Sequence, residues 1–129
     1  MNNYSPEIRF ADIDAMGHVN NAVYFSYFEQ ARIHTFRQLV GLHWDWNADG
    51  LLVARNEIDY KRPLFLNDQV EIVTRCTVIG QKSFTITYQV NRGDELCASG
   101  TSVLVCYNHR EHHTQQVPQA WRDALAAIM

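Results

Sequence analysis

The residues best suited to chemistry lie together near the N-terminus, in the run Arg9-Phe10-Ala11-Asp12-Ile13-Asp14-Ala15-Met16-Gly17-His18-Val19-Asn20-Asn21. Two carboxylates, a glycine, a histidine and two asparagines stand directly before a stretch of helical periodicity. The start of a helix offers unpaired backbone N–H groups and the positive end of its dipole, both suited to an anion or a developing oxyanion. A carboxylate beside it can attack a carbonyl or activate water toward it. Acyl transfer needs those two parts. The same residues also suit plain structure: Asp12 and Asp14 as turn and capping groups, Asn20 or Asn21 as an N-cap, His18 as a hydrogen-bonded loop histidine. The residue types alone leave both readings open.

Other reactive residues point nowhere comparable. Cys76, Cys97 and Cys106 are odd in number, far apart and without a Cys-x-x-Cys pair, which reads as buried thiols. His109, His112 and His113 cluster with Arg110 and Glu111 in a polar stretch that reads as an exposed turn. They lack the ligand spacing of a zinc site, so no metal is expected.

The elements that must position the loop follow from periodicity. Over 21–40 the pattern is helical, with Tyr24, Tyr27, Phe28, Ala31 and Leu39 on one broad face. Val23, Phe25, Ile33 and Phe36 widen the apolar coverage and leave mainly Ser26, Gln30 and Arg37 for water, so this helix should be wrapped. Gly41 is the expected C-cap. A short extended stretch is expected over 4–10, and strands over 51–60, 68–79, 83–91 and 95–107. Turn signals at Asn67-Asp68, Gly80-Gln81 and Arg92-Gly93-Asp94 separate these four strands. In the second of these strands Val70, Ile72, Thr74, Cys76 and Val78 should share a face. In the third, Phe84, Ile86, Tyr88 and Val90 should. Hairpin-like spacing implies an antiparallel sheet, and Pro118 should open a short C-terminal helix through Ala120, Leu125 and Ile128. One helix and one antiparallel sheet make an α+β layer architecture.

The run Asp12-x-Asp14-x-x-Gly17-His18-Val19-Asn20-Asn21-x-x-Tyr24, followed by Glu29-x-Ala31-Arg32, resembles the signature of the hotdog-fold acyl-CoA thioesterases, in the branch named for 4-hydroxybenzoyl-CoA thioesterase. The similarity continues through Ile58-Asp59-Tyr60-x-x-Pro63, Asp68-x-Val70, Gly80-x-x-Ser83-Phe84, Ala98-x-Gly100 and Val117-Pro118, covering nearly the whole chain. It implies a hotdog fold, in which a curved antiparallel sheet wraps a long central helix. It also implies Asp14 as the catalytic carboxylate, either nucleophile or general base, with the backbone N–H of Asn21 polarising the thioester carbonyl. His18 falls at the motif's histidine, positioning the loop or the attacking water. Gly17, Asn20 and Tyr24 fall among the substrate contacts, Gly17 through a positive φ or a close approach.

Coenzyme A carries phosphates, and the turn Gln81-Lys82-Ser83-Phe84 matches the family's basic turn. Lys82, with Ser83, is therefore the expected phosphate contact, ahead of Arg62 and Arg92. Glu29 is the alternative carboxylate, since another hotdog branch places its catalytic acid on the helix; with Arg32 it also suits an i,i+3 ion pair. Trp44 and Trp46 suit either an acyl pocket or a subunit contact. Asn67 stands where the family often has glycine, and asparagine tolerates the left-handed turn.

The 129 residues suit a single domain over 1–129, with 47% apolar residues, 12% aromatic residues and a net charge of −3. That balance argues against nucleic acid as the main partner. No run reaches the roughly 18 apolar residues of a membrane span, and the N-terminus lacks a secretory pattern, so a cytoplasmic protein is expected. The expected function is hydrolysis of an acyl-CoA to the free acid and CoA, without metal or organic cofactor. An acyl-carrier-protein thioesterase, a hotdog dehydratase and a non-catalytic acyl-CoA-binding protein are the rivals. Family members are homodimers, often paired into homotetramers, with sites between subunits, and an exposed sheet edge makes that physically reasonable.

Overall fold

A computed structural model describes residues 2–129. It shows an α+β fold in which a curved, unclosed antiparallel sheet packs against one long helix, as expected. The elements in chain order are β1 (Asn3–Tyr4), α1 (Val23–Val40), β2 (Gly50–Tyr60), β3 (Glu71–Ile79), β4 (Ser83–Arg92), β5 (Glu95–Asn108), β6 (His113–Thr114) and α2 (Gln119–Ala126). The sheet order is β1-β3-β4-β5-β2, with β6 added to β5. No helix of the described residues is long and apolar enough to cross a membrane.

Several boundaries differ from expectation for physical reasons. The first extended stretch shrinks to two residues on β3; Pro6 cannot donate to a ladder, and Phe10–Asp12 forms a 3-10 turn instead. The helix starts at Val23 because the Asn20 side chain takes the Ala22 N–H at 2.9 Å and holds Asn21 and Ala22 in a turn. β3 starts only at Glu71, after a turn in which the Asp68 carboxylate accepts the Phe65 N–H and binds Arg92. A bulge between Cys76 and Val78 then turns Val78 outward, 57% exposed, so it does not share the inner face of Val70, Ile72, Thr74 and Cys76. The polar histidine stretch is not wholly a turn: His113 and Thr114 pair with Asn108 and Tyr107. Pro118 stands one residue ahead of α2, and Ile128 lies beyond its end.

The core lies between α1 and the sheet's inner face. Phe84, Ile86, Tyr88 and Val90 alternate inward from β4 and are essentially buried. Tyr24, Tyr27, Phe28, Ala31 and Phe36 meet them from the helix, with the Phe28 ring stacked on Tyr88 at 4.2 Å. Gly41 ends the helix at φ +81, its N–H bonded to Arg37 O. The single chain wraps α1 only in part: Ser26, Gln30 and Arg37 are exposed as expected, but so is Ile33. α2 closes the far end, where Trp121 packs on Phe36, Phe84, Trp44 and Trp46. The three cysteines are buried free thiols, and burial pushes the Cys106 thiol up to about 11.

β2 is the sheet's long open edge. Its inward positions Leu51, Val53, Asn56, Ile58 and Tyr60 register against inward residues of β5, across a bulge between Val53 and Arg55. Val53 and Tyr60, on this edge strand, are nevertheless more than 40% exposed.

Candidate active site

The chemistry-bearing loop is a small hairpin. Ile13 and Val19 bridge it, the Asp14 N–H donates to His18 O at 2.9 Å, and the Gly17 N–H donates to Asp14 O at 3.0 Å. Gly17 has φ +82, so its need is conformational; a side chain there would strain the backbone without striking a neighbour. The hairpin docks through the Val19 N–H to Leu64 O and the Asn20 N–H to Asp12 O.

The two aspartates differ sharply. Asp12 is buried, and its carboxylate accepts the Arg9 N–H, the Arg9 guanidinium and the Tyr27 hydroxyl at 2.8–3.1 Å. Burial by itself raises this carboxyl, but the bonds from the Arg9 backbone, Tyr27 and the Arg9 side chain outweigh it and hold the group below the ordinary range. The same contact, after burial, pushes the Tyr27 phenol upward. Asp14 is half-buried. Its Oδ1 accepts the Met16 and His18 N–H groups at 2.9 and 3.4 Å, and no group among the described residues reaches its Oδ2. Asp14 therefore fills the turn role and keeps one oxygen open.

Beside this turn, His18, Val19, Asn21, Tyr24, Tyr60, Lys61, Arg62 and Pro63 line an open cleft of about 200 Å³. Asp14 adjoins it through the His18 backbone and does not form its wall. At its floor the helix begins. Asn20 O accepts the Val23 N–H, Asn20 Oδ1 accepts the Ala22 N–H, and the Asn21 N–H is left without a partner among the described residues. The His18 ring packs edge-on against Phe65 at 5.2 Å. Tyr24 is almost wholly buried in the wall, and burial pushes its phenol up to about 12.

Two lining residues, Tyr60 and Lys61, are ones that residue-by-residue reading did not assign to the site. Tyr60 donates to Asn21 O at 2.7 Å. Its only signal was its place in the Ile58-Asp59-Tyr60-x-x-Pro63 run. Arg62 and Arg92 are occupied by ion pairs, Arg62 with Glu95 and Arg92 with both Asp68 and Glu95.

The remaining expected residues lie elsewhere. Lys82 and Ser83 are at the opposite end of the sheet, where Ser83 registers with Val105, whereas Tyr60 at the cleft registers with Ala98 and hence Val90. From Lys82 to Val90 along β4 is about 26 Å at roughly 3.3 Å per residue. Within one chain Lys82 and Ser83 are therefore not part of the Asp14 site. Glu29 is exposed and lies 3.9 Å from Arg32, the helix pair already expected. Both line a larger cavity of about 470 Å³ with Ile33, Phe36, Trp46 and Val53. Of the two loop tryptophans only Trp46 faces that cavity; the Trp44 indole donates to Asp49 O. Among the described residues no cluster of His, Cys, Asp and Glu could hold a metal ion.

A profile of the thioesterase-like superfamily matches residues 8–125. A 1,4-dihydroxy-2-naphthoyl-CoA hydrolase of Synechococcus elongatus is 27% identical over 122 residues, 92% of this chain and 90% of that protein. A thioesterase from Thermus thermophilus, crystallised with coenzyme A and Zn, superposes with a TM-score of 0.85 at 35% identity, covering 98% of this chain and 92% of that one. The PA5185 protein of Pseudomonas aeruginosa superposes with a TM-score of 0.91 at 27% identity, over 100% of this chain and 92% of that one. With a family match across almost its whole length, the chain belongs to the thioesterase-like superfamily, a hotdog-fold group related to the acyl-CoA thioesterases.

Proposed function

We propose that this protein is an acyl-CoA thioesterase of the 4-hydroxybenzoyl-CoA thioesterase branch, acting in the cytoplasm. The observation that carries the reading is the unpartnered Asn21 N–H at the start of α1, set in a cleft next to a carboxylate with an open oxygen. The thioester carbonyl oxygen accepts the Asn21 N–H, and its carbon is attacked either by Asp14 Oδ2 or by water that Asp14 deprotonates. The C–S bond breaks and CoA leaves as the thiolate. In the first route water then opens the acyl-aspartyl anhydride; in both, the product is the free acid. Charge gathers on the carbonyl oxygen in either route, so one preorganised donor there is worth about 10²–10³ in rate. His18 positions the turn through its backbone bond to Asp14, and Gly17 and Asn20 shape it.

The functional unit in this reading is a pair of copies. Antiparallel pairing across the open β2 edge lays the Gly50 end of one strand beside the Tyr60 end of the other. The Lys82–Ser83 turn of the second copy then comes to the end of the sheet that holds this chain's Asp14. A thiol-release assay over short, long and aromatic acyl-CoAs tests the assignment, with Asp14→Ala beside wild type. Hydrolysis by wild type and a loss of at least about 10³-fold in the variant are expected. Full activity in the variant removes Asp14 from the chemistry, and absence of hydrolysis of every acyl-CoA overturns the acyl-CoA thioesterase reading.

A further inference from the structure

The turn that opens α1 contains two consecutive peptide groups, and three of their four polar atoms are held. In the peptide joining Asn20 to Asn21 the carbonyl accepts the Val23 N–H at 3.0 Å. In the peptide joining Asn21 to Ala22 the N–H donates to Asn20 Oδ1 at 2.9 Å, and the carbonyl accepts the Tyr60 hydroxyl at 2.7 Å. The fourth atom is the Asn21 N–H, which has no partner among the described residues, and Asn21 lines the cleft. Two of the three bonds are internal to the turn and move with it. Tyr60 comes from β2, on the other wall of the cleft, and is the one that ties the turn to the sheet. Its ring is fixed edge-on against Tyr24 at 5.0 Å and 86°.

We propose that Tyr60 is a positioning residue: by holding the Asn21 carbonyl it sets the Asn21–Ala22 peptide in its direction, and through it the adjoining Asn21 N–H that receives the thioester oxyanion. The proposal rests on the thioesterase reading above. Burial raises the Tyr60 phenol from its ordinary value of 10.0, so the hydroxyl remains a donor throughout the neutral range. Misplacing a catalytic group by about 1 Å costs up to about 10²-fold in rate, and the effect falls on the step in which charge develops.

The test compares wild type, Tyr60→Phe and a chain carrying trifluorotyrosine at position 60, whose phenol ionises near neutrality. Each is assayed for thiol release from an acyl-CoA that wild type hydrolyses, with Tm recorded. Tyr60→Phe keeps the ring contact with Tyr24, so kcat is expected to fall about 10- to 100-fold while KM stays within about threefold. The trifluorotyrosine chain, which also serves should the Phe variant not fold, is expected to lose kcat as pH rises through neutrality, where wild type does not. An unchanged kcat in Tyr60→Phe, a loss carried by KM instead, or a wild-type pH profile in the trifluorotyrosine chain overturns the role of Tyr60. Failure of wild type to hydrolyse any thioester overturns the underlying reading and the proposal with it, and is distinguishable because it needs no variant.

Discussion

One residue separates Asp12 from Asp14, yet Asp12 spends its carboxylate on three hydrogen bonds inside the protein while Asp14 keeps an oxygen open. The difference comes from the 3-10 turn at Phe10–Asp12, which turns Asp12 inward onto Tyr27 of α1. Asp12 thereby anchors to the helix both the turn before Asp14 and, through its carbonyl, the Asn20 N–H after it. Because its folded pKa lies below the ordinary 3.8, Asp12 contributes stability that is fully present above that value. The contribution is lost as pH falls from there through the lowered folded pKa. Asp12→Asn should therefore cost about 2 kcal/mol near neutral pH, the range for hydrogen bonds to a charged group. The gap from wild type should close in acid. Urea unfolding at pH 7 and pH 3 checks this, and a gap equally wide at both would contradict the assignment.

At the scale of elements, what sets the site is how closely α1 approaches the sheet. Gly100 of β5 makes that approach possible: a Cβ built there meets the Phe28 ring at 2.4 Å, and that ring is wholly buried and stacked on Tyr88. The neighbour cannot withdraw, so Gly100→Ala should destabilise by about 1–3 kcal/mol, the ordinary cost of overpacking a filled core. It should also lower Tm by several degrees, measurable by calorimetry. A neutral Tm would mean that α1 can ride outward. Strand alternation and the apolar helix were legible from sequence because each period matches a buried face. What escaped was set by contacts distant along the chain or by single residues. The bulge after Cys76 flips Val78 without changing the pattern of residue types. The Asn20 side chain delays the helix by two residues, and β6 exists because Tyr107 and Asn108 offer it an edge. The candidate site was legible as a motif, through Asp14, Gly17, His18 and Asn21. Tyr60 and Lys61 were not, because their place beside Asn21 depends on β2 passing the helix start.

At the scale of the whole molecule, one chain is folded and the proposed site is divided. Asn21, His18 and Asp14 gather at one end of the sheet and Lys82 at the other, about 26 Å away by strand rise. No side-chain motion closes that gap. The proposed two-fold pairing across β2 addresses it, because it reverses the second sheet end for end and brings the Lys82 turn of the second copy to the end that holds Asp14. This arrangement makes a prediction that a site within one chain cannot share. Consider Asp14→Ala and Lys82→Ala variants, each weakened at low acyl-CoA concentration, unfolded together and refolded as an equal mixture. If the cleft of each copy draws Lys82 from its partner, a mixed dimer places both lesions in one site and leaves the other site wild type. Half of the dimers are mixed, so about a quarter of all sites regain wild-type kcat/KM. If Lys82 serves its own chain, every site in the mixed dimer carries a lesion, and the mixture shows only the average of the two variants. Thiol release from the refolded mixture, measured against each variant refolded alone, separates the two arrangements. Recovery beyond that average places Lys82 across the interface, and its absence overturns the shared-site arrangement.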